Sequence, residues 1–233
     1  MAKGKWADRE VVLKAVKENS EALKRAAKSL RADREVVLEA VRQHGKALEY
    51  ADESLQGDRE VVLEAVKENG HAFEFADEEL LDDREFVLEA IEKAEEERQV
   101  FQYCGGWMDD EEFLLDAIKR RGSSVLDFAE DPELPFDREF MLAAIRLDGS
   151  AIWYAADHLY NDREVALAAV SAEDGEGLCW VADSLQADRE FVLEAVRRNG
   201  WALGHAAESF RADREVVLEA VKQNAEALKY ATA

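Results

Sequence analysis

Apolar residues recur along this chain at helical spacing and almost never alternate. Counting from an aspartate as position zero, they fall at +3, +4, +5, +7 and +8, as in Val36, Val37, Leu38, Ala40 and Val41 after Asp33. A stripe of that width is the core face of an amphipathic helix and lacks the two-residue period of a strand. A second set follows at +14, +15, +17, +18 and +22, as in Ala72, Phe73, Phe75, Ala76 and Leu80 after Asp58. Its spacings of three and four predict a second helix about ten residues long.

The aspartate that opens the pattern returns at Asp8, Asp33, Asp58, Asp83, Asp110, Asp137, Asp162, Asp188 and Asp213, at intervals of 25 to 27 residues. Eight of the nine begin Asp-Arg-Glu, and the fifth reads Asp110-Glu111-Glu112. Aspartate is a good N-cap because its carboxylate accepts from the free amides of the first turn, and the glutamate two residues on suits the positive end of the helix dipole. Asn69-Gly70, Asn199-Gly200 and His44-Gly45 close the first helix, the glycine expected in the left-handed conformation. Helices this short cannot hide their apolar stripes alone, so the pattern predicts a stack of neighbours that supply each other's core.

Three places depart from the rule. Repeat four has Glu95-Glu96-Glu97-Arg98 where the Asn-Gly belongs, which predicts an extended first helix before Val100 and Phe101 resume the pattern. Repeat five carries Pro132 and Pro135 ahead of Asp137, which predicts an extended connector. Repeat seven has Asp174-Gly175 one residue late. The reading is therefore all-α: one α–α superhelix, or α-solenoid, of about nine two-helix repeats over residues 1–233, with an irregular junction at 92–136 dividing 1–91 from 137–233.

Written out, the repeat resembles the family called domain of unknown function 4116, whose signature reads DREVVLxAVxxNGxALxYAxxxLxxDRE. The segments DREVVLEAVRQHGKALEYADESLQGDRE from Asp33 and DREFVLEAVRRNGWALGHAAESFRADRE from Asp188 match it closely. Variants cover nearly the whole chain, with repeats four and five departing most. The resemblance implies no particular chemistry.

Charge changes the picture next. The chain carries a net −23, distributed as +4 over residues 1–50, −20 over 51–140 and −7 over 141–233. Such a surface repels phosphate backbones and steers basic ligands, so a basic protein is the expected partner and nucleic acid is not. No long apolar run suggests a signal peptide or a membrane span. Cys104 and Cys179 are far apart and read as free thiols, which places the protein in a reducing, cytoplasmic setting, although an imported mature protein would look the same.

Each candidate for chemistry competes with a packing role. The arginines of the Asp-Arg-Glu ladder could clamp an acidic ligand, but repetition in nearly every unit favours pairing between neighbours. A column of aromatics at +17, which includes Tyr50, Phe75 and Tyr154, with Trp180 one place on in the late repeat seven, reads as packing between layers. Trp153 and Trp201 are more telling, because they stand in slots held elsewhere by Lys24, Glu49 and Glu74 or by Glu21, Lys46 and His71. With Trp180 and His205 they form one candidate protein-binding patch. The acidic residues Asp77, Glu78, Glu79, Asp109 and Asp110 form the other. No histidine pair, calcium loop, phosphate loop or nucleophile elbow is found, so no catalytic residue, metal ligand or cofactor is expected. The expected function is a non-enzymatic interaction scaffold, the alternative a spacer or self-associating subunit of a larger assembly.

Overall fold

The computed structural model describes residues 2–171 and 176–232, so Asp174-Gly175 lies outside the described residues. Those residues form helices and turns and no strand. They divide into two compact units, Met1–Phe113 and Leu114–Ala233.

Within each unit the aspartates open helices as the sequence predicts. Arg34–Gln43, Arg59–Glu68 and Arg189–Arg198 are ten-residue α-helices. Asp33 accepts from the amides of Glu35 and Val36, Asp58 from that of Val61, and Asp188 from those of Glu190 and Phe191. The stripe is buried where the spacing places it: Val36, Val37, Ala40 and Val41 are fully enclosed, as are Val61, Val62, Ala65 and Val66 one repeat on. Full burial of a Val or Leu side chain contributes about 1.5–3 kcal/mol, so each repeat depends on the neighbour that covers it.

The second half of the repeat differs from expectation. Instead of one helix of about ten residues there is a six-residue 3-10 segment, such as Gly45–Tyr50, then a four-residue α-helix, such as Glu53–Gln56. The break falls at the +18 alanine: Ala51 is extended, with φ −66° and ψ 159°. The amide at +19 is thereby freed for the preceding repeat. Asp52 donates to Arg31 O at 2.9 Å, Asp77 to Gln56 O at 3.0 Å and Ala156 to Pro135 O at 2.8 Å, and in repeat seven, which runs one residue late, Ala182 at +20 donates to Tyr160 O at 2.9 Å. A continuous helix would consume that donor internally, and the backbone stitch between repeats would be lost.

The glycine after the first helix also has a different role from the one expected. Among the described residues only Gly105 and Gly122 have positive φ, so Gly45, Gly70 and Gly200 are not left-handed caps. The preceding residue turns the chain instead: Asn199 is extended at φ −143° and accepts from the amide of Trp201, capping the 3-10 segment. The glycine is needed for close approach. A Cβ on Gly200 would stand 2.6 Å from the carbonyl oxygen of Ala220, and one on Gly45 would run into that of Ala65. Pressed this close, the Gly200 amide reaches Gln223 Oε1 of the next repeat at 2.7 Å.

The irregular stretches resolve locally. The first helix of repeat four is not extended; it ends at Lys93, and a separate helix, Glu97–Phe101, takes the place of the 3-10 segment. Buried Ala94 is extended and breaks the run before the glutamates can continue it. The proline connector is only partly extended, closing in a 3-10 turn at Leu134–Phe136 that buries Leu134.

Gly200→Ala should therefore lower unfolding free energy by about 1–3 kcal/mol through overpacking. Gly57→Ala should change it by less than about 0.5 kcal/mol, since a Cβ there meets Asp77 Cβ at an ordinary 3.7 Å. Denaturant melts of both variants check the contrast.

Candidate functional site

The arginine ladder is occupied by protein carboxylates. Arg9 Nε lies 2.7 Å from Asp33 Oδ2, Arg138 Nε 2.8 Å from Asp162 Oδ2, and Arg189 Nε 3.0 Å from Asp213 Oδ2. In each case the same aspartate caps its own helix through Oδ1. Each guanidinium also reaches a glutamate, and the residue at +3 decides which one. Where Val36, Val61, Val165 or Val216 stands there, the partner is Glu35, Glu60, Glu164 or Glu215 at +2. Where Phe86 or Phe191 stands there, the arginine lies over the ring and turns to Glu89 or Glu194. These rungs set register between repeats rather than await a ligand. Exposed pairs of this kind are worth about 0–1 kcal/mol each.

Unit 2 holds a recess of another character. Trp153 sits in the 3-10 segment Gly149–Tyr154, whose start is fixed by Asp148 accepting from Ser150 N at 3.0 Å and Ser123 N at 2.6 Å. Burial raises the Asp148 carboxyl, but the bonds from Ser150 and Ser123 outweigh it and leave the pKa lowered. Trp180 ends the short helix Gly177–Trp180, which presses on its own repeat's first helix because Gly177 has no side chain; a Cβ there would meet Val170 N at 2.6 Å. The two indoles touch with centroids 3.9 Å apart and planes tilted by 48°. They nevertheless remain open to solvent, at 57% and 38% exposure.

Both line a cavity of about 800 Å³. Leu147, itself exposed, extends the apolar wall, and Lys119, Arg146 and Arg198 contribute cations. Arg146 is held by Glu164 at 2.7 Å and Arg198 by Glu194 at 3.0 Å. The arrangement offers an aromatic surface with a polar border, suited to an apolar or aromatic group. No cluster of three metal-binding side chains occurs among the described residues.

Not every candidate joins this site. Trp201 is half-buried, meeting the Tyr230 ring edge-on at 6.0 Å with Lys229 Nζ 4.4 Å from its own ring, and it borders a smaller neighbouring recess. It does not touch the Trp153–Trp180 pair because its slot at +13 points toward repeat nine. His205 faces Cys179 at 3.3 Å. The acidic candidates belong to unit 1, and two of the five serve as caps: Asp77 accepts from Glu79 N, and Asp110 from Phe113 N at 2.7 Å. Glu78, Glu79 and Asp109 are exposed. The +17 aromatics are mostly half-buried and lie at the margin of the core. Leu147 escaped the sequence reading, yet its slot at +10 is polar in most other repeats, held by Glu18, Gln43, Glu68, Lys93 and Arg198 among them.

A family model for Domain of unknown function (DUF4116) matches residues 8–56, 58–104, 137–186 and 188–232. The chain belongs to this family. Each DUF4116 match spans two successive repeats, and residues 105–136, with the whole of the irregular fifth repeat, fall between matches. Neither the curated proteins nor the solved structures gave a match.

The ladder carries a pH dependence with a definite sign. Hydrogen bonds from Arg9, Arg138 and Arg189 hold Asp33, Asp162 and Asp213 below the usual carboxylate range. A lowered folded pKa contributes stability above the unfolded value of about 3.9 and loses it as pH falls through the folded one. Melting temperature should show no loss between about pH 7 and pH 5 from these groups and should drop below about pH 4; a scan of thermal melts against pH checks this.

Proposed function

We propose that this DUF4116 chain is a non-enzymatic protein-interaction scaffold, and that Trp153 and Trp180 are its docking element in unit 2. The observation that carries the reading is the contact of two solvent-open indoles on the wall of a recess. Exposed tryptophans in contact leave apolar area uncovered that a partner can bury, and tryptophan is enriched among residues that dominate binding energy. A basic protein partner is favoured by the net charge of −23 and the −20 concentrated in residues 51–140, which raise encounter rates and disfavour nucleic acid. An intracellular, reducing setting belongs to the same reading and is supported by Cys104 and Cys179 both being unpaired. No helix among the described residues is long and apolar enough to cross a membrane.

Affinity capture at low salt should recover a basic protein that 0.5 M salt releases, because screening at that strength removes attraction between exposed charges. Trp153→Ala with Trp180→Ala should weaken that complex at least about tenfold, as a hot-spot loss of about 2 kcal/mol implies. The melting temperature should move little. Retained binding alongside a large drop in melting temperature would assign the pair to the core instead.

A further inference from the structure

The chain has two cysteines, and their surroundings are opposite. Cys104 is buried, its Sγ donates to Val100 O at 3.4 Å, and burial pushes the thiol up to about 12. Cys179 is exposed on the short helix Gly177–Trp180 and lies 3.3 Å from Nδ1 of His205 in the next repeat. His205 ends the 3-10 segment Gly200–His205, in the slot that Tyr50, Phe75 and Tyr230 fill in other repeats. Elsewhere the same kind of cross-repeat contact pairs a tyrosine hydroxyl with a carboxylate. Tyr103 Oη reaches Glu74 at 3.5 Å and Tyr154 Oη reaches Asp127 at 3.1 Å. At this rung a nucleophile faces a base.

We propose that Cys179 is a covalent modification site whose co-reactant is a low-molecular-weight disulfide, with His205 accepting the thiol proton. In the step, the S–H proton of Cys179 passes to Nδ1 of His205 and the resulting thiolate attacks one sulfur of the disulfide. A new S–S bond forms to Cys179 while the original one breaks, and the leaving thiolate is protonated from the imidazolium or from water. No electrons are needed beyond those the disulfide accepts. Partial desolvation and the nearby Glu176 carboxylate hold the Cys179 thiol above its ordinary range, and the imidazole 3.3 Å away gives its proton a place to go. The thiolate so formed is intrinsically more nucleophilic than that of an acidic thiol. Gln186 Nε2 donates to Cys179 O at 3.3 Å, holding the segment that presents the sulfur.

The test is exposure of the folded full chain to glutathione disulfide at neutral pH, with adducts read by intact mass and located by peptide mapping. One adduct is expected, at Cys179, and Cys179→Ser should abolish it. His205→Phe, which restores the residue type found at Phe75, should keep the fold and slow the reaction by about tenfold or more. His205→Gln provides a second variant that keeps a polar side chain without a base. Equal rates for wild type and both His205 variants, with unchanged circular dichroism, would overturn the proposal. So would first modification at Cys104.

Discussion

A ten-residue helix with an apolar stripe more than a third of its circumference wide has to lay that stripe against something. Its own repeat offers only a 3-10 segment and one further helical turn. The rest of the covering surface comes from adjoining copies, and local features of each repeat serve their approach. The glycine of the Asn-Gly pair removes the atom that would hold neighbours apart. The break at the +18 alanine turns an amide outward to stitch adjacent repeats. Asp58 and its equivalents Asp33, Asp162 and Asp213 divide their two oxygens between their own helix and the arginine of the preceding repeat. Stability built this way resides in nearest-neighbour contacts.

The parts of this architecture that rest on period and on capping were legible in the sequence. Val36, Val37, Ala40 and Val41 could be placed in the core from spacing alone, and Asp33 at a helix start from the chemistry of free amides. Even the choice of glutamate by Arg9, Arg34, Arg59, Arg138, Arg163 and Arg189 follows one readable position, valine or phenylalanine at +3. The misleading features were those whose local geometry a neighbour decides. Asn-Gly after a helix ordinarily means a left-handed cap, but here close packing fixes the glycine, and the asparagine caps the 3-10 segment beyond it. Apolar spacing from Ala72 to Leu80 cannot distinguish one helix from two, because the extended Ala76 between them is followed by Asp77, whose amide bonds to Gln56 O of the preceding repeat.

The candidate site shows the same division. Trp153 stood out because a regular array makes a misplaced aromatic visible, and Leu147 could have been found by the same comparison. Trp201 stood out equally and yet packs against Tyr230 and Lys229, since the face a slot presents depends on what the following repeat places opposite it. The thiol of Cys179 and the imidazole of His205 are separated by 26 residues, too far for any local pattern to join them; only stacking by one repeat brings them together.

The dependence of each repeat on its neighbour is tested most directly by circular dichroism of a peptide spanning residues 33–57, compared with a chain spanning residues 1–113. The single repeat should be largely unfolded in water, while the longer chain should be helical and melt cooperatively. A lone repeat with full helicity and its own cooperative transition would contradict mutual burial as the source of the fold.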